Sequence, residues 1–574
     1  MPTIATSTVT FIACSTAETL YIIAYNSVKS NDGAETSGAD GTSLHGFCEE
    51  WITELIASMR DQSYQPQPNR TTMILKSNGK MRKLGFPNGK DKLVQEATRI
   101  ILECIYEPTF SNLSHGFRPK RSTQSAIAEV ETWRGTIWFI EGDISACFDE
   151  IDHRKLETIL RERISDEHFI RLINKILKAG YFDMQHIYHG TKTGNAQGSC
   201  CSPILCNIYL NKLDRFMKNN IETDTSGRYR RQNPDYAKTR YLYKKAISNG
   251  SDPEIIKHLK SETKKLPTRD RYDPNFRRVK YVRYADDFLI GLIAPKANAI
   301  ALKQKIKEFL KNELCLRLSD EKTKITHATD NDVTFLGYII RKGIIKHSKF
   351  SQYNPFDSTI RIFMNTDGIL KKLRENGMCT GNYYPIGISR LLRNPPEEII
   401  KYGNQVLRGL LTQQRGCSNF FKGWRIQYVV MFSIAKTLAR KFDISIKKVF
   451  ARFGKSLSVS FRNAKNKVCT VSLALYKSFA RQKNFFTIFK SATKSVFLPQ
   501  YNLIDPLASV CYIYGNPNFR VSMYHRKTKK KLEKPYSPIV TVMLDINRRQ
   551  IPLCAHCFAD AETGRFQLNQ LKRR

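Results

Sequence analysis

The alternation of apolar and polar positions divides the chain into a front half of mixed strands and helices and a back half of basic helices. Residues 49–60 place Trp51, Leu55, Ile56 and Met59 at helical spacing. Residues 71–75 read as a short strand. Asn78-Gly79 is the turn that follows, with Lys76, Lys80 and Arg82 around it. Residues 91–106 and 123–133 predict amphipathic helices. Residues 136–140 form an apolar run that leads to Asp143, which predicts a buried strand with a carboxylate near its C-terminal end. Helix is expected over 153–177, and over 203–217, where Pro203 suits a first turn. In KYVRYADDFLIGL (280–292), two β-favouring runs flank a turn that carries Asp286 and Asp287. That pattern predicts a hairpin with two carboxylates at its tip. Residues 297–314 continue as helix and 333–340 as strand. From about residue 358 the period turns helical: 399–411, 427–442 and 445–453 each set apolar residues against a Lys/Arg face. The last hundred residues read as short strands and loops with a basic cluster at 526–531.

Charge narrows the class. Across 574 residues, 93 Lys and Arg oppose 52 Asp and Glu, a formal net charge of +41. A chain this basic has a polyanion as its natural partner. Hydrophobic residues make up 41 %, enough for real cores, and the length calls for several domains. No window holds the ~18 apolar residues that a membrane span needs, so no membrane partner is expected. The nearest, 10–24, is interrupted by Ser15, Thr16 and Glu18. The first Lys or Arg is Lys29, so neither a secretory signal nor an Arg-rich transit peptide is expected. Of the fourteen cysteines, Cys104, Cys147, Cys206 and Cys315 lie in apolar runs, which predicts reduced, buried thiols. Residues 218–278 are basic with interleaved tyrosines. We read them as an insertion on the electropositive face, with a disordered linker as the alternative.

Adjacent carboxylates repel, and each raises the other's pKa unless a cation lies between them. Mg²⁺ reverses that and favours oxygen ligands of this kind. Asp143 supplies a third carboxylate, at the end of another predicted strand. Strand-end carboxylates of this sort can hold two Mg²⁺ for an in-line displacement.

The pair Tyr284-Ala285-Asp286-Asp287 and Asp143-Ile144-Ser145-Ala146-Cys147-Phe148-Asp149 resembles the two catalytic motifs of reverse transcriptases. RKLGFPNGKDKLVQEA (82–97), YEPTFSNLSHGFRPKRS (106–122), NAQGSCCSPILCNIYLNKLD (195–214), LSDEKTKI (318–325) and FLGY (335–338) extend the likeness nearly end to end. Together they resemble group II intron-encoded reverse transcriptase/maturases. The resemblance implies a metal-binding triad of Asp143, Asp286 and Asp287, with the carbonyl of Ile144 as a further ligand. It implies Phe148 as a steric gate against a ribose 2′-hydroxyl. Lys76 and Arg82 match cations that hold the incoming triphosphate, and Gln197-Gly198 a loop at nucleotide and template. Lys322 matches a proton donor near the triphosphate.

Residues 360–470 are similar to the thumb and maturase domain, which implies Arg408, Lys436, Arg440 and Lys441 on intron RNA phosphates. The tail, RRQIPLCAHC (548–557), looks like the end of an HNH endonuclease domain, here eroded. The resemblance leaves Cys511, Cys554 and Cys557 as the candidate remnant of its zinc site. Tyr514 stands at a cysteine position, Tyr524-His525 at a His pair, and Phe558 and Glu562 where histidines are expected.

The expected architecture is α+β, a right-hand polymerase with an antiparallel palm sheet. Its parts are an N-terminal extension (1–70), fingers and palm (71–345), a helical thumb/maturase region (355–470) and a small degenerate HNH-like region (475–574). The expected function is intron RNA binding, splicing assistance and RNA-templated DNA synthesis with two Mg²⁺, deoxynucleotides and a DNA primer or target. The endonuclease is expected to be inactive, with residual Zn²⁺ and DNA binding left open. A splicing-only maturase with a vestigial polymerase is the alternative. A homodimer stays open, and the expected residence is a mitochondrion, with a bacterial cytoplasm as the alternative.

Overall fold

The computed structural model describes residues 17–31, 33–75, 79, 81–195, 197–270, 273–343, 359–462, 466–482, 484–491, 511, 513, 521–525 and 550–563. Lys76, Tyr514, residues 526–531 and the start of the tail motif lie outside them.

Strand β1 (Asn69–Leu75) pairs antiparallel with β2 (Met81–Phe86), in register from Arg70 opposite Phe86 to Leu75 opposite Met81. Later in the chain come β3 (Trp138–Ser145) and the short β4 (Tyr181–Phe182) and β5 (Tyr188–His189). The last two complete a four-stranded sheet in the order β2-β1-β4-β5. The palm sheet is built on β3. The hairpin of β6 (Arg278–Tyr284) and β7 (Asp287–Ile293) lies along one of its edges. β8 (Arg317–Leu318) and β9 (Lys324–His327) share the other, and all the pairings are antiparallel.

Alternation along these strands sends successive side chains to opposite faces. Ile140, Tyr281, Phe288 and Ile290 join one hydrophobic core, and Phe139, Val282 and Leu289 join another. The palm sheet is therefore a partition with a packed core on each side. The first core also takes in the helices Glu18–Val28 and Glu49–Arg60, so the described N-terminal segment shares one core with the β3 sheet. The second runs on through β10 (Val333–Phe335), β11 (Tyr338–Gly343), β12 (Thr359–Met364) and the helices Thr366–Glu375, Pro396–Leu411 and Gly423–Phe442.

Several expected elements differ in detail. The helix read over 153–177 is two helices, His153–Arg161 and Glu167–Lys178. Asp166 caps the second by accepting from the backbone of His168 and Phe169. The strand read over 333–340 folds back on itself at Leu336-Gly337, both at positive φ, to make β10 and β11. The basic segment after residue 225 is a helical hairpin, Pro234–Ser248 and Pro253–Lys265. Bridges between Ser226 and Arg277 and between Gln232 and Arg269 close its neck. Cys147 and Cys206 are buried as expected, but Cys104 and Cys315 are exposed.

A hairpin, β13 (Val459–Arg462) with β14 (Val468–Val471), follows the thumb helices. Near the C-terminus, β15 (Val521–His525) pairs with β16 (Gln550–Cys554), and the helix Ala555–Thr563 covers them. The backbone at Gly46 and Phe47 bonds to Met523, which fastens this piece to the N-terminal segment. No helix among the described residues is long and apolar enough to cross a membrane.

Candidate active site

The site forms where β3 meets the β6–β7 turn. Asp143 lies directly opposite Asp287 in the β3–β7 register. The Ile144 amide donates to the Asp286 carbonyl at 3.3 Å. All three carboxylates therefore meet on one small patch, although the first and second lie 143 positions apart in the chain. Gly142 makes the approach possible, because a Cβ there would stand 2.1 Å from the Phe288 ring across the pair. Ala285, at φ 56, turns the hairpin tightly enough to present both aspartates.

Burial and mutual repulsion act on the cluster. Burial, then the charges of Asp286 and Asp143, push Asp287 up to about 7. Asp286 is raised as well, mainly by burial. Lys322 Nζ donates to Asp143 Oδ2 at 2.9 Å, and that hydrogen bond raises the ammonium pKa. A set of only oxygen donors, held close and reluctant to ionise together, has the chemistry that Mg²⁺ relieves. The residues fit that ion.

Around the triad the fingers and palm are linked by Gln197. Its Oε1 accepts from Arg82 Nε at 2.6 Å, its Nε2 donates to Asp149 Oδ2 at 3.0 Å, and its carbonyl accepts from the Gly85 amide at 2.7 Å. Gly198, at φ +117, lies so close to β2 that a Cβ would come 2.4 Å from the Gly85 oxygen. Arg82 is exposed, and its charge only partly offsets the rise at Asp286. Phe148 is half-buried, edge-on to Phe117 at 6.1 Å. Ile144 is buried, paired with Leu318 of β8.

Sequence reading missed the support beneath the turn. Arg283 is fully buried under it. It donates to Asp214 Oδ1 at 2.8 Å and Oδ2 at 2.6 Å, to the Ala285 carbonyl at 2.9 Å, to Ser114 Oγ at 2.8 Å and to Asn207 Oδ1 at 3.2 Å. Asn207 in turn donates to the Gly116 carbonyl at 2.8 Å, and a Cβ on Gly116 would come 2.3 Å from the Ala285 amide. The loop carrying His115, Gly116 and Arg118 thus braces the aspartate turn from below. One signal was in the sequence: Arg283 falls in step with Val279 and Tyr281, on the buried face of β6.

The expected RNA-contacting residues divide. Arg408 and Arg440 are exposed on their helices, Arg440 within 3.4 Å of Ser389 Oγ. Lys436 and Lys441 instead donate to the Pro385 and Leu392 carbonyls, at 2.9 and 3.0 Å, and hold that loop to the helix Gly423–Phe442. In the C-terminal piece the sulfurs of Cys511, Cys554 and Cys557 lie within 4.8 Å of one another, all buried.

Residues 74–340 match the family model for reverse transcriptase (RNA-dependent DNA polymerase), and residues 359–502 the model for type II intron maturase. The group II intron-encoded protein LtrA of Lactococcus lactis is 33 % identical over 568 residues, which covers 94 % of this chain and 93 % of that protein. The putative COX1/OXI3 intron 1 protein of Saccharomyces cerevisiae is 33 % identical, over 96 % of this chain and 68 % of that one. A 91 kDa protein in the cob intron of Schizosaccharomyces pombe is 32 % identical, over 96 % and 70 %. A telomerase from Candida albicans resembles the fold only faintly, with a TM-score of 0.32 at 13 % identity over 71 % of this chain and 68 % of that one. On the two family models and the near full-length relatives, this chain belongs to the group II intron-encoded reverse transcriptase/maturases.

Proposed function

We propose that Asp143, Asp286 and Asp287 are the catalytic carboxylates with which this protein copies RNA into DNA. The observation that carries the reading is the β3–β7 register that sets Asp143 opposite Asp287, with Asp286 fixed beside Ile144. Mg²⁺ ions held by the three carboxylates and the Ile144 carbonyl would supply an activated primer 3′-hydroxyl and charge neutralisation at the departing pyrophosphate.

The chain's own groups do the rest. Arg82 binds the triphosphate of the incoming deoxynucleotide, where a guanidinium can pair bidentately. Lys76 is assigned to the same task by its place in the motif. Gln197 and Gly198 set the floor between fingers and palm on which nucleotide and template rest. Phe148 fills the space that a ribose 2′-hydroxyl would need. Lys322 holds a proton at Nζ, within reach of the phosphates that approach Asp143.

Arg408 and Arg440 face intron RNA phosphates in the maturase role. Lys436 and Lys441 shape the loop beside them. Cys511, Cys554 and Cys557 can hold Zn²⁺ as a structural remnant, three of the usual four ligands among the described residues. The endonuclease chemistry of such a tail is lost, since Phe558 and Glu562 replace the expected histidines. The COX1 and cob intron relatives favour a mitochondrial residence, while the lactococcal relative leaves a bacterial cytoplasm as the alternative.

The deciding experiment is primer extension on an RNA template by the purified protein, with and without Asp286→Asn. Extension by the wild type that the variant loses supports the reading. No extension by the wild type, with intron splicing intact, leaves a splicing factor with a vestigial polymerase.

A further inference from the structure

A cleft of about 580 Å³ opens where the outer face of the β10–β11–β12 sheet meets the helix Gly423–Phe442. Alternation along β11 buries Tyr338 and Ile340 and turns Ile339 and Arg341 outward, with Phe363 opposite Ile339 on β12. From the other wall come Phe421 and Trp424, 63 % and 54 % exposed, interleaved with Lys422 and Arg425. The Arg341 guanidinium lies over the Phe363 ring at 5.1 Å, and Arg425 over Tyr383 at 5.9 Å. The rings continue along the helix, where Tyr428 packs against Phe432 at 4.6 Å, and pass to Phe450 of the helix Ile446–Phe453, 5.7 Å from Phe432.

Two large rings left in water at the mouth of one cleft mark a binding surface. Among the described residues, Ile339 and Met364 are the only aliphatic side chains in the lining, so the cleft offers a poor seat to an apolar peptide. Rings alternating with guanidinium and ammonium groups are what single-stranded nucleic acid uses, with the base on the ring and the phosphate on the cation. Three cations face two carboxylates here, and one of those, Asp332, is already paired to Arg341. We propose that this cleft takes an unpaired base of single-stranded RNA, stacked on Trp424 or Phe421 with its phosphates on Lys422 and Arg425. A duplex cannot fill it, since its bases are already stacked on both faces. The volume matches one or two nucleotides, within the ~300–1,000 Å³ of small-ligand sites. The inference rests on the reading of this chain as an RNA-binding maturase, and adds to it a particular site and a strand state.

The test is titration of the full-length protein with a mixed-sequence twelve-nucleotide RNA, and separately with the same sequence as a duplex. Of the four tryptophans, Trp133 is buried and Trp51 and Trp138 are half-buried, so the exposed indole of Trp424 dominates any ligand-induced change in emission. Single-stranded RNA is expected to quench the emission of the wild type, and Trp424→Leu should remove that quenching. Trp424→Leu and Phe421→Ala should each lower the ratio of single-strand to duplex affinity by about tenfold. Trp424→Phe, which keeps a ring, should retain most of it, which separates stacking from a folding defect. RNA binding without a change in Trp424 emission, or an equal loss for both strand states, overturns the cleft and leaves the RNA-binding reading standing. A wild type that binds neither RNA overturns both.

Discussion

At the scale of single residues, the proposed chemistry lies at positions where no side chain can be exchanged freely. Gly198 shows this best. Its φ of +117 strains any L side chain, and a Cβ would press on the Gly85 oxygen of β2. Gly198→Ala must push the Gln197 loop away from the fingers, and a displacement of about 1 Å at a reacting centre can cost about a hundredfold in rate. Primer extension by Gly198→Ala is expected to lose about that factor in kcat/KM for the deoxynucleotide, with the thermal melt little changed. Phe148→Ala should act differently. It removes no charge, so extension with deoxynucleotides continues, while incorporation of ribonucleotides rises by about 10-fold or more. Gel analysis with ribonucleotides alone reads that outcome, and unchanged discrimination would show that the ring does not sit beneath the sugar. Much at this scale was legible. Asp143, the Asp286-Asp287 pair, Gly198 and Phe148 each lie in a short recognisable run, while the register that sets Asp143 opposite Asp287 comes only from the fold. Cys104 and Cys315 were misread because an apolar run need not bury every member. Cys104 lies on the outer face of the helix Gly89–Tyr106, and Cys315 just past the end of the helix Lys296–Leu314.

At the scale of elements, the aspartate turn is held by a part of the fold that the sequence concealed. Arg283 was visible, but its partner Asp214 lies 69 residues away, and no local pattern joins them. The hairpin itself was legible, because its period-two runs and its turn are contiguous. The split of 333–340 into two strands was not, since Leu336 gives no warning of a left-handed turn. The buried pair makes a firm prediction. Asp214→Ala leaves an arginine charge in the core without its partner, a loss of about 3–5 kcal/mol that denaturant unfolding will read. Replacing both, as Arg283→Met with Asp214→Leu, should recover much of that stability. Primer extension should nonetheless be lost in the double variant, because the Ala285 carbonyl no longer has its donor.

The bracing loop also confers a pH response. Burial, and then the charges of Arg121, Arg118 and Arg283, hold His115 down to about 3. Its Nδ1 bonds to Ser125 Oγ at 2.8 Å, and its Nε2 is buried without a partner. The unfolded chain takes up that proton near pH 6.5, while the folded one refuses it until about 3. The stability contributed is whole above pH 6.5 and drains away as the pH falls towards 3. His115→Gln, which cannot titrate, should flatten the dependence of melting temperature on pH across that window. A parallel decline in both proteins would place the acid sensitivity elsewhere.

At the scale of the whole molecule, a net charge of +41 must be matched by the partner, since a chain this basic repels itself when free. The charge is not spread evenly. Residues 226–278 hold fifteen Lys and Arg against six Asp and Glu. They form the helical hairpin whose two helices bury a single residue, Ala246. An arm with so little core gains little from packing on its own protein. Its stability comes from the closed neck, from caps at Asn233 and Asp252, and from whatever it binds outside the chain. Its tyrosines stand among its arginines, with Arg228 and Arg269 both near the Tyr229 ring, at 5.5 and 5.9 Å. Neutralising phosphates releases counterions, so intron RNA affinity should fall by about 10³ or more between 50 and 200 mM salt. Joining Gln232 directly to Arg269 removes both helices and keeps the bridge at Ser226 and Arg277. If the arm rests on RNA phosphates, the slope of log affinity against log salt becomes shallower by about one for each phosphate that the arm had neutralised. Primer extension on a short template persists. An unchanged slope would mean that these helices serve a partner other than RNA, and their exposed Leu242, Ile247 and Ile255 would then form the surface that receives it.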